Sequence, residues 1–223
     1  MPGVHRPLRW ALSVLLLLVL AACQTTAYRS DRIYRFIDEL AFGGPLDAAL
    51  KPDTDLTRWE EPLRLFITEA ETPERRAEID GVLAKFQRLT GLSAEIVGQE
   101  ASANITVAFK PNKDFLANSE YVPCYVRARW GRGRLDSALI EISVADPEKV
   151  NGCIAHELMH TFGFGYHSGV VSSILSPIHR LETLSEWDEL ALRILYHPSV
   201  EVGMTRQEAR PVFRRLISEF MEE

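Results

Sequence analysis

Apolar side chains along this chain recur at two spacings, one typical of helices and one typical of strands. The helical spacing occurs over residues 31–42, which end at a Gly-Gly-Pro turn, and in the segment that opens at Thr72-Pro73 and closes at Gly91. Proline suits the first turn of a helix and glycine the position just after its end, so both segments are predicted as helices. Further helices are predicted over 152–162, over 186–196 and from residue 205 onward.

Strand-like segments lie between these helices, bounded by turn residues and rich in β-branched and aromatic side chains. The predicted strands are residues 63–67, 94–97, 104–109, 121–130 and 139–144, with a basic, glycine-containing turn over 129–134. Pro123 cannot donate a hydrogen bond to a neighbouring strand, so the segment that contains it is predicted as an edge strand. The order of elements indicates an α+β fold, in which a twisted mixed sheet packs on helices.

Two capping boxes organise the C-terminal part of the chain. Ser185 with Asp188 opens the helix over 186–196, whose predicted buried positions are Leu190, Ile194 and Trp187. Thr205 and Glu208 form the second box, at the start of a final amphipathic helix. Proline inside a helix removes a hydrogen bond, so this last helix is predicted to kink or restart at Pro211.

The N-terminal residues have the pattern of a targeting segment. Two arginines precede an apolar run over residues 10–22, which is too short to span a bilayer comfortably. The run ends in Leu-Ala-Ala-Cys, which resembles the lipobox of bacterial lipoproteins and implies lipid attachment at Cys23. Residues 1–22 are therefore predicted as a lipoprotein signal peptide and 23–30 as a tether. An ordinary signal peptide followed by an unrelated cysteine is the alternative.

A lipid-anchored chain belongs to the bacterial cell envelope, because several acyl chains on one residue hold it stably to a membrane. Gln24 stands where an aspartate would retain a lipoprotein in the inner membrane, so the periplasmic side of the outer membrane is favoured. The full chain has a formal net charge of −6, and removal of residues 1–22 leaves 23 basic against 31 acidic side chains, a charge of −8. An acidic domain without a basic run argues against nucleic acid as a partner.

Two cysteines remain after the anchor, Cys124 and Cys153. An even number of cysteines in an exported protein favours a disulfide between them. The alternative is that Cys153 binds a metal, since it lies three residues before the first histidine of the motif described next.

Residues 156–160 read His-Glu-Leu-Met-His, a match to H-E-x-x-H. Histidines four residues apart on a helix project from one face, so both imidazoles can reach one zinc ion. Glu157 lies about 100° around the helix from His156, where it can act as a general base on a zinc-bound water. The motif predicts one Zn²⁺, with His156 and His160 as ligands and Glu157 as the catalytic residue.

Gly163 stands where the helix must end, and Phe-Gly-Tyr then leads to His167 as a third possible ligand. This stretch resembles the metzincin peptidases, especially the matrixins, which share the two-histidine helix, the glycine turn and a third histidine followed by serine. The spacing from His167 to Leu175 and Pro177 resembles that from the third histidine to the Met-turn, with leucine in place of methionine. The interval between Gly163 and His167 is one residue longer than the usual spacing.

The metzincin resemblance implies a zincin-like domain over residues 31–223, a zinc peptidase activity and His167 as the third ligand. Four other side chains are rivals for that third position: His179, Glu182, Glu186 and Asp188. Tyr125 and Tyr166 are candidates to stabilise the oxyanion of the reaction, against a role in packing. The whole chain also resembles an uncharacterised family of bacterial envelope proteins through Trp59, Cys153 and the block over 192–205.

Two classes of function follow from these residues. The first is a metallopeptidase whose peptide or protein substrate lies extended along the edge strand over 121–130. The second is a non-catalytic envelope lipoprotein that binds zinc as a structural element or serves as a scaffold. Hydrolysis of a cell-wall amide would use the same site chemistry as the first.

Overall fold

The computed structural model describes residues 28–49, 55–68, 72–110, 124–131, 133–144 and 152–222. The predicted signal peptide over 1–22 and the lipidation site Cys23 lie outside these residues. Among the helices of the described part, none has both the length and the hydropathy needed to cross a membrane.

The residues that the structure describes contain five α-helices and five β-strands. The helices are α1 over residues 28–42, α2 Pro73–Thr90, α3 Cys153–Thr161, α4 Glu186–Leu195 and α5 Arg206–Met221. The strands are β1 Leu63–Ile67, β2 Ala94–Ile96, β3 Ile105–Lys110, β4 Cys124–Gly131 and β5 Arg134–Ser143. Two short 3₁₀ helices, Pro45–Asp47 and Glu100–Ser102, lie in the connections.

The strands form one sheet in the order β2-β1-β3-β5-β4. All neighbouring pairs are parallel except β4 and β5, which form an antiparallel hairpin at one edge. The sheet is therefore mixed and packs on helices, which confirms the predicted α+β class. The described part of the predicted edge strand lies at the sheet edge, and residues 121–123 of that prediction fall outside the described residues.

A hydrophobic core joins the sheet to the helices. It extends from Ile33 in α1 to Ile217 in α5, and it includes buried side chains from every strand except β2. Helix α3 packs against β4, β5 and α2. Phe86 of α2 stacks on Phe162, just beyond α3, with ring centroids 4.1 Å apart. The helix that carries the H-E-x-x-H motif is therefore packed against both the sheet and α2.

Local signals set the helix boundaries close to the predicted positions. Thr72 caps α2 by accepting a hydrogen bond from the backbone N–H of Arg75, and Gly91 ends the helix in the left-handed conformation with φ 73°. Both predicted capping boxes are present, at Ser185 and at Thr205. These confirmed boundaries rest on residues within four positions of each helix end.

Helix α5 runs without a break from Arg206 to Met221, so the predicted restart at Pro211 is wrong. The hydrogen bond lost at the proline is offset by burial of apolar residues on both sides of it, such as Ala209 and Phe213. In α4, Ile194 is buried as predicted, whereas Leu190 and Trp187 are only partly buried.

Two boundaries differ more widely from the predictions. Strand β5 begins at Arg134 and not at residue 139, because its first residues pair with β4 in the hairpin. The predicted tether over 23–30 is helical from residue 28 onward. The guanidinium of Arg29 lies 5.0 Å from the ring centroid of Trp187, a contact that supports the first turn of α1.

Candidate metal centre

A disulfide holds the N-terminal end of α3. The predicted bridge between Cys124 and Cys153 is formed, with Cα atoms 6.0 Å apart, and it joins the first residue of β4 to the first residue of α3. A sulfur atom in a disulfide is not a thiolate, so Cys153 is not a metal ligand. The bridge fixes the start of the helix against the edge strand of the sheet.

Two aromatic side chains hold the C-terminal end of α3. The last carbonyl groups of a helix lack partners within it. The indole N–H of Trp59 donates to the carbonyl of Thr161 at 2.6 Å, and the hydroxyl of Tyr196 donates to the carbonyl of Phe162 at 2.8 Å. Trp59 and Tyr196 are distant in sequence from α3, so this capping depends on the tertiary fold.

Gly163 turns the chain back from the end of α3. Its φ is 117°, a conformation that other residues rarely adopt. An added Cβ atom would also lie 2.5 Å from the carbonyl oxygen of Thr57. Glycine is therefore required here, and the predicted end of the helix at this residue is confirmed.

The imidazoles of His156 and His160 are each held by a backbone carbonyl at Nδ1. The Nδ1 atom of His156 lies 2.8 Å from the carbonyl oxygen of Ile174, and that of His160 lies 2.6 Å from the carbonyl oxygen of Phe164. A carbonyl oxygen only accepts, so each Nδ1 carries the proton and donates it. The two Nε2 atoms are then acceptors, and they face each other at 3.2 Å.

His167 brings a third imidazole to the same place. Potential ligand atoms of His156, His160 and His167 all lie within 4.8 Å of one another. The ring centroid of His167 lies 5.4 Å from that of His156 and 4.9 Å from that of His160. Over the described residues, this is the one group of three or more potential ligand side chains that could hold a metal ion.

The additional residue between Gly163 and His167 is accommodated by burial of Tyr166. The usual metzincin spacing would place the third histidine at position 166. Tyr166 is only 5% exposed, and an added Cβ at Gly43 would lie 3.3 Å from its ring. Its backbone N–H donates to the carbonyl of Leu40. Tyr166 packs against the end of α1, and the chain reaches the cluster one residue later.

The geometry of the three histidines fits a zinc ion. Two lone pairs that face each other at 3.2 Å repel unless a cation lies between them. Two ligands at about 2.1 Å from a tetrahedral ion stand about 3.4 Å apart, close to the observed separation. Three neutral nitrogen donors with a fourth position left open are the ligand set of catalytic zinc sites such as that of carbonic anhydrase.

Burial keeps the two helix histidines neutral. Burial, reinforced by the nearby His167 and Arg180, lowers the pKa of His156 to about 4. The pKa of His160 is also lowered well below 6.5, chiefly by burial and then by the neighbouring histidines. Metal ligation requires the neutral imidazole, so these environments favour a cation over protons at neutral pH.

Glu157 is a buried carboxyl group on the same helix. It is 3% exposed, and burial raises its pKa to about 8, an effect that Arg180 partly opposes. A nearby cation would lower this pKa again, because it stabilises the carboxylate. A carboxyl with a pKa near neutral is suited to accept and return a proton.

The loop below the cluster is held by Asp188. This residue is fully buried, and its carboxylate accepts hydrogen bonds from the hydroxyl of Ser173 at 2.6 Å and the backbone N–H of Ile174 at 3.2 Å. The carbonyl of Ile174 is the partner of His156, so Asp188 positions the imidazole of His156 indirectly. Asp188 was a rival for the third ligand position, and its hydrogen bonds assign it to loop and helix structure instead.

The other rivals also lie outside the cluster. His179, Glu182 and Glu186 are all described and are not among the grouped ligand atoms. Leu175, which stands in place of the Met-turn methionine, is fully buried, and its carbonyl accepts from the backbone N–H of Ser168 at 3.3 Å. The loop that contains it therefore contacts both His156 and the residue after His167.

The two tyrosines considered for the oxyanion have other partners. The hydroxyl of Tyr125 donates to Glu141 on the neighbouring strand β5. Tyr166 is buried against α1 as described above. Both arrangements favour the packing role over the catalytic one.

Two carboxylates near the end of α1 contact the third histidine and the residue after it. Asp47 accepts a hydrogen bond from the backbone N–H of His167 at 2.7 Å, and Glu39 accepts one from the hydroxyl of Ser168 at 2.6 Å. Sequence reasoning missed both residues, because Asp47 and Glu39 precede their partners by 120 and 129 positions and no local pattern marks them. Neither carboxylate near the Gly-Gly-Pro turn lies in a sequence motif that would identify it as a functional residue.

Comparisons with known proteins give one matching family and a distantly similar solved structure. Residues 31–215 match the family described as "Protein of unknown function (DUF2927)". No curated protein matches the chain. A crystal structure of archaemetzincin from Methanopyrus kandleri is similar, with 14% sequence identity over 60% of this chain and 94% of that chain and a TM-score of 0.40.

Proposed function

As this chain belongs to the DUF2927 family, whose description assigns no activity, we propose its function from the site: a zinc-dependent metallopeptidase of the bacterial cell envelope. The observation that carries the proposal is the pair of facing Nε2 atoms of His156 and His160, 3.2 Å apart, with His167 beside them. The Nδ1 atoms of both helix histidines already donate to carbonyls, so Nε2 is the atom left for a cation.

In this proposal, His156, His160 and His167 hold one Zn²⁺. A zinc ion bound there would supply Lewis-acid activation of water and of the substrate carbonyl. Glu157 accepts the proton from the attacking water and passes it to the leaving amine. Its raised pKa reflects burial, and the positive charge of the ion would bring the carboxyl to the ionised state needed for a base.

Strand β4 is the proposed binding surface for an extended peptide. It lies at the edge of the described sheet and is tied to the start of α3 by the disulfide. Backbone hydrogen bonds to an edge strand provide affinity that does not depend on the peptide sequence, and side-chain pockets then select. A peptide or protein substrate suits this arrangement, and the acidic composition argues against nucleic acid.

The proposed location is the periplasmic side of the outer membrane, with a membrane anchor on Cys23. Support comes from the apolar run over 10–22, the Leu-Ala-Ala-Cys ending and Gln24. Mass spectrometry of the protein from native membranes tests the anchor, because a mature N-terminus at Cys23 carrying acyl groups is expected. An N-terminus at any other residue would contradict it.

The alternative is a non-catalytic zinc-binding or scaffolding lipoprotein. The 3% exposure of Glu157 favours this alternative, because a general base must reach a water molecule next to the substrate. Under it, zinc would stabilise the fold and the carboxyl of Glu157 would have no role in chemistry.

Glu157→Gln separates the two functions. The peptidase proposal expects wild-type protein with one zinc per chain to cleave members of a peptide library. It also expects the variant to lose at least about 100-fold in kcat/KM with its zinc retained, since a general base contributes roughly 10²–10⁴-fold. Glu189→Gln is a matched control, because Glu189 pairs with Lys85 away from the cluster.

Two results would reject the peptidase. One is a fully zinc-loaded wild-type protein that cleaves neither peptides nor purified peptidoglycan, which tests the cell-wall amide as well. The other is equal activity of Glu157→Gln and Glu189→Gln. Either result leaves the zinc-binding alternative standing, provided that zinc is bound.

A further inference from the structure

Asp47 contacts the third histidine through both a backbone and a ring nitrogen. One oxygen of its carboxylate accepts from the backbone N–H of His167 at 2.7 Å. The other lies 3.3 Å from Nδ1 of the same residue. The side chain of Asp47 is 9% exposed, so this carboxylate is largely withdrawn from water and directed at one partner residue.

The end of α1 places Asp47 through a closely packed turn. Gly43 has φ 85°, and an added Cβ at Gly44 would lie 2.6 Å from Cγ of Glu39. The 3₁₀ helix Pro45–Asp47 follows directly and ends with the aspartate. The turn therefore brings Asp47 and Glu39 to neighbouring residues of one loop, His167 and Ser168.

The three imidazoles have different partners at Nδ1. His156 and His160 donate to neutral backbone carbonyls, whereas the partner of His167 is a carboxylate. The contact to Asp47 is the longest of the three, at 3.3 Å against 2.8 and 2.6 Å, and the charge of its acceptor strengthens it. His167 is also the only one of the three that lies outside α3, so no helix fixes its ring.

We propose that Asp47 is a positioning residue for the third zinc ligand. By accepting the Nδ1 proton of His167, Asp47 fixes the tautomer that leaves the Nε2 lone pair directed at the ion. The carboxylate also makes that nitrogen a stronger electron donor and offsets part of the charge of a divalent cation. The inference rests on the proposed zinc site and adds the residue that orients its third ligand.

Asp47→Asn tests this role, because asparagine keeps the shape and removes the charge. Loss of a hydrogen-bonding partner behind a metal ligand typically costs about 10–100-fold in metal affinity. We expect a loss of that size in Zn²⁺ affinity, measured by competition with a chromophoric chelator. Asp38→Asn is the matched control, since Asp38 is 18% exposed and pairs with Arg206 and Tyr34; its affinity should stay within about twofold of wild type.

A second measurement reports the tautomer directly. In metal-free wild-type protein, ¹⁵N NMR of the rings should find the Nδ1–H tautomer at all three histidines. In Asp47→Asn, only His167 should shift toward a mixture, while His156 and His160 keep their carbonyl partners. Asp47→Glu restores the charge with one more methylene and should recover part of the zinc affinity, which keeps the test open if asparagine impairs folding.

The outcomes separate this inference from the proposed function. If wild-type protein binds no zinc, the proposed site itself fails. If wild-type binds one zinc tightly and Asp47→Asn binds it equally well with an unchanged His167 tautomer, the site stands and the role of Asp47 is rejected.

Discussion

The candidate metal centre joins two regions that are built in different ways. Helix α3 carries His156 and His160, and a disulfide and two aromatic caps hold its ends. The loop after Gly163 carries His167, and carboxylates near the end of α1 hold it. In the first region the ligand spacing is a property of the helix itself, whereas in the second it depends on contacts between distant parts of the chain.

The difference predicts which parts of the site are robust. Helical geometry keeps His156 and His160 on one face whatever surrounds them. The position of His167 is set by a hydrogen-bonded loop whose partners come from α1 and from the 3₁₀ helix that follows it. Perturbation of α1 should therefore affect the third ligand before it affects the other two.

Loss of a ligand from either region should have the largest effect. His156→Ala and His167→Ala are each expected to weaken Zn²⁺ binding roughly 100- to 1000-fold. A loss of that size corresponds to about a quarter of the binding free energy of a structural zinc site. Stability of the metal-free proteins should differ, because His156→Ala leaves the carbonyl of Ile174 without its partner, whereas His167 is 32% exposed. Calorimetry with and without zinc measures both effects. Equal zinc affinity of His167→Ala and wild type would exclude it as a ligand.

Asp188→Asn tests the link between the two regions, and the expected effect is smaller. The carboxylate accepts from Ser173, Ile174 and Ser185, so loss of its charge weakens several buried hydrogen bonds at once. We expect a loss of about 2–3 kcal/mol in the free energy of unfolding, measured by urea denaturation of metal-free protein. A loss below about 0.5 kcal/mol, as at an ordinary surface site, would mean that the loop does not depend on Asp188.

The pH dependence of metal-free protein should give the smallest effect. Unfolded histidine binds protons below pH 6.5 that folded His156 and His160 do not, so stability falls as the pH drops from 6.5 toward 4. The pKa of Glu157 is raised from 4.5 to about 8, so the folded protein keeps a proton that the unfolded chain releases, and stability falls as the pH rises from 4.5 to 8.

The opposing contributions place the maximum of stability near pH 6.5. Glu157→Gln should remove the fall in the free energy of unfolding between pH 6.5 and 8. The stability regained at pH 8 is about 1–2 kcal/mol. Thermal unfolding of both proteins in the presence of a chelator measures the difference. A wild-type stability that does not change between pH 6.5 and 8 would contradict the raised pKa.

Sequence reasoning succeeded where the signal was local. The bounds of β1, the caps of α2 and the end of α3 at Gly163 follow from residues within a few positions. The Cys124–Cys153 bridge followed from the number of cysteines and the predicted export signal. The approach of His167 to the other two histidines was inferred from the glycine turn and the metzincin resemblance, and the structure brings the three together.

Contacts that depend on the tertiary fold could not be predicted in the same way. No sequence pattern near Asp47 or Glu39 identifies either residue as a partner of the loop that carries His167. The capping of α3 by Trp59 involves a sequence separation of 102 residues, and no periodicity connects the two. The continuity of α5 through Pro211 likewise depends on burial against the core, which a propensity rule does not include.

The redox environment determines when the Cys124–Cys153 bridge can form, and so when the start of α3 is covalently fixed. Both thiols stay free in a reducing compartment, where packing alone would dock the first turn of α3 on the sheet. Oxidation then fastens that turn covalently, so a chain made in one compartment and moved to an oxidising one would finish its centre only after arrival. In the proposed peptidase, such a delay would keep the centre immature for as long as it shares space with newly made proteins.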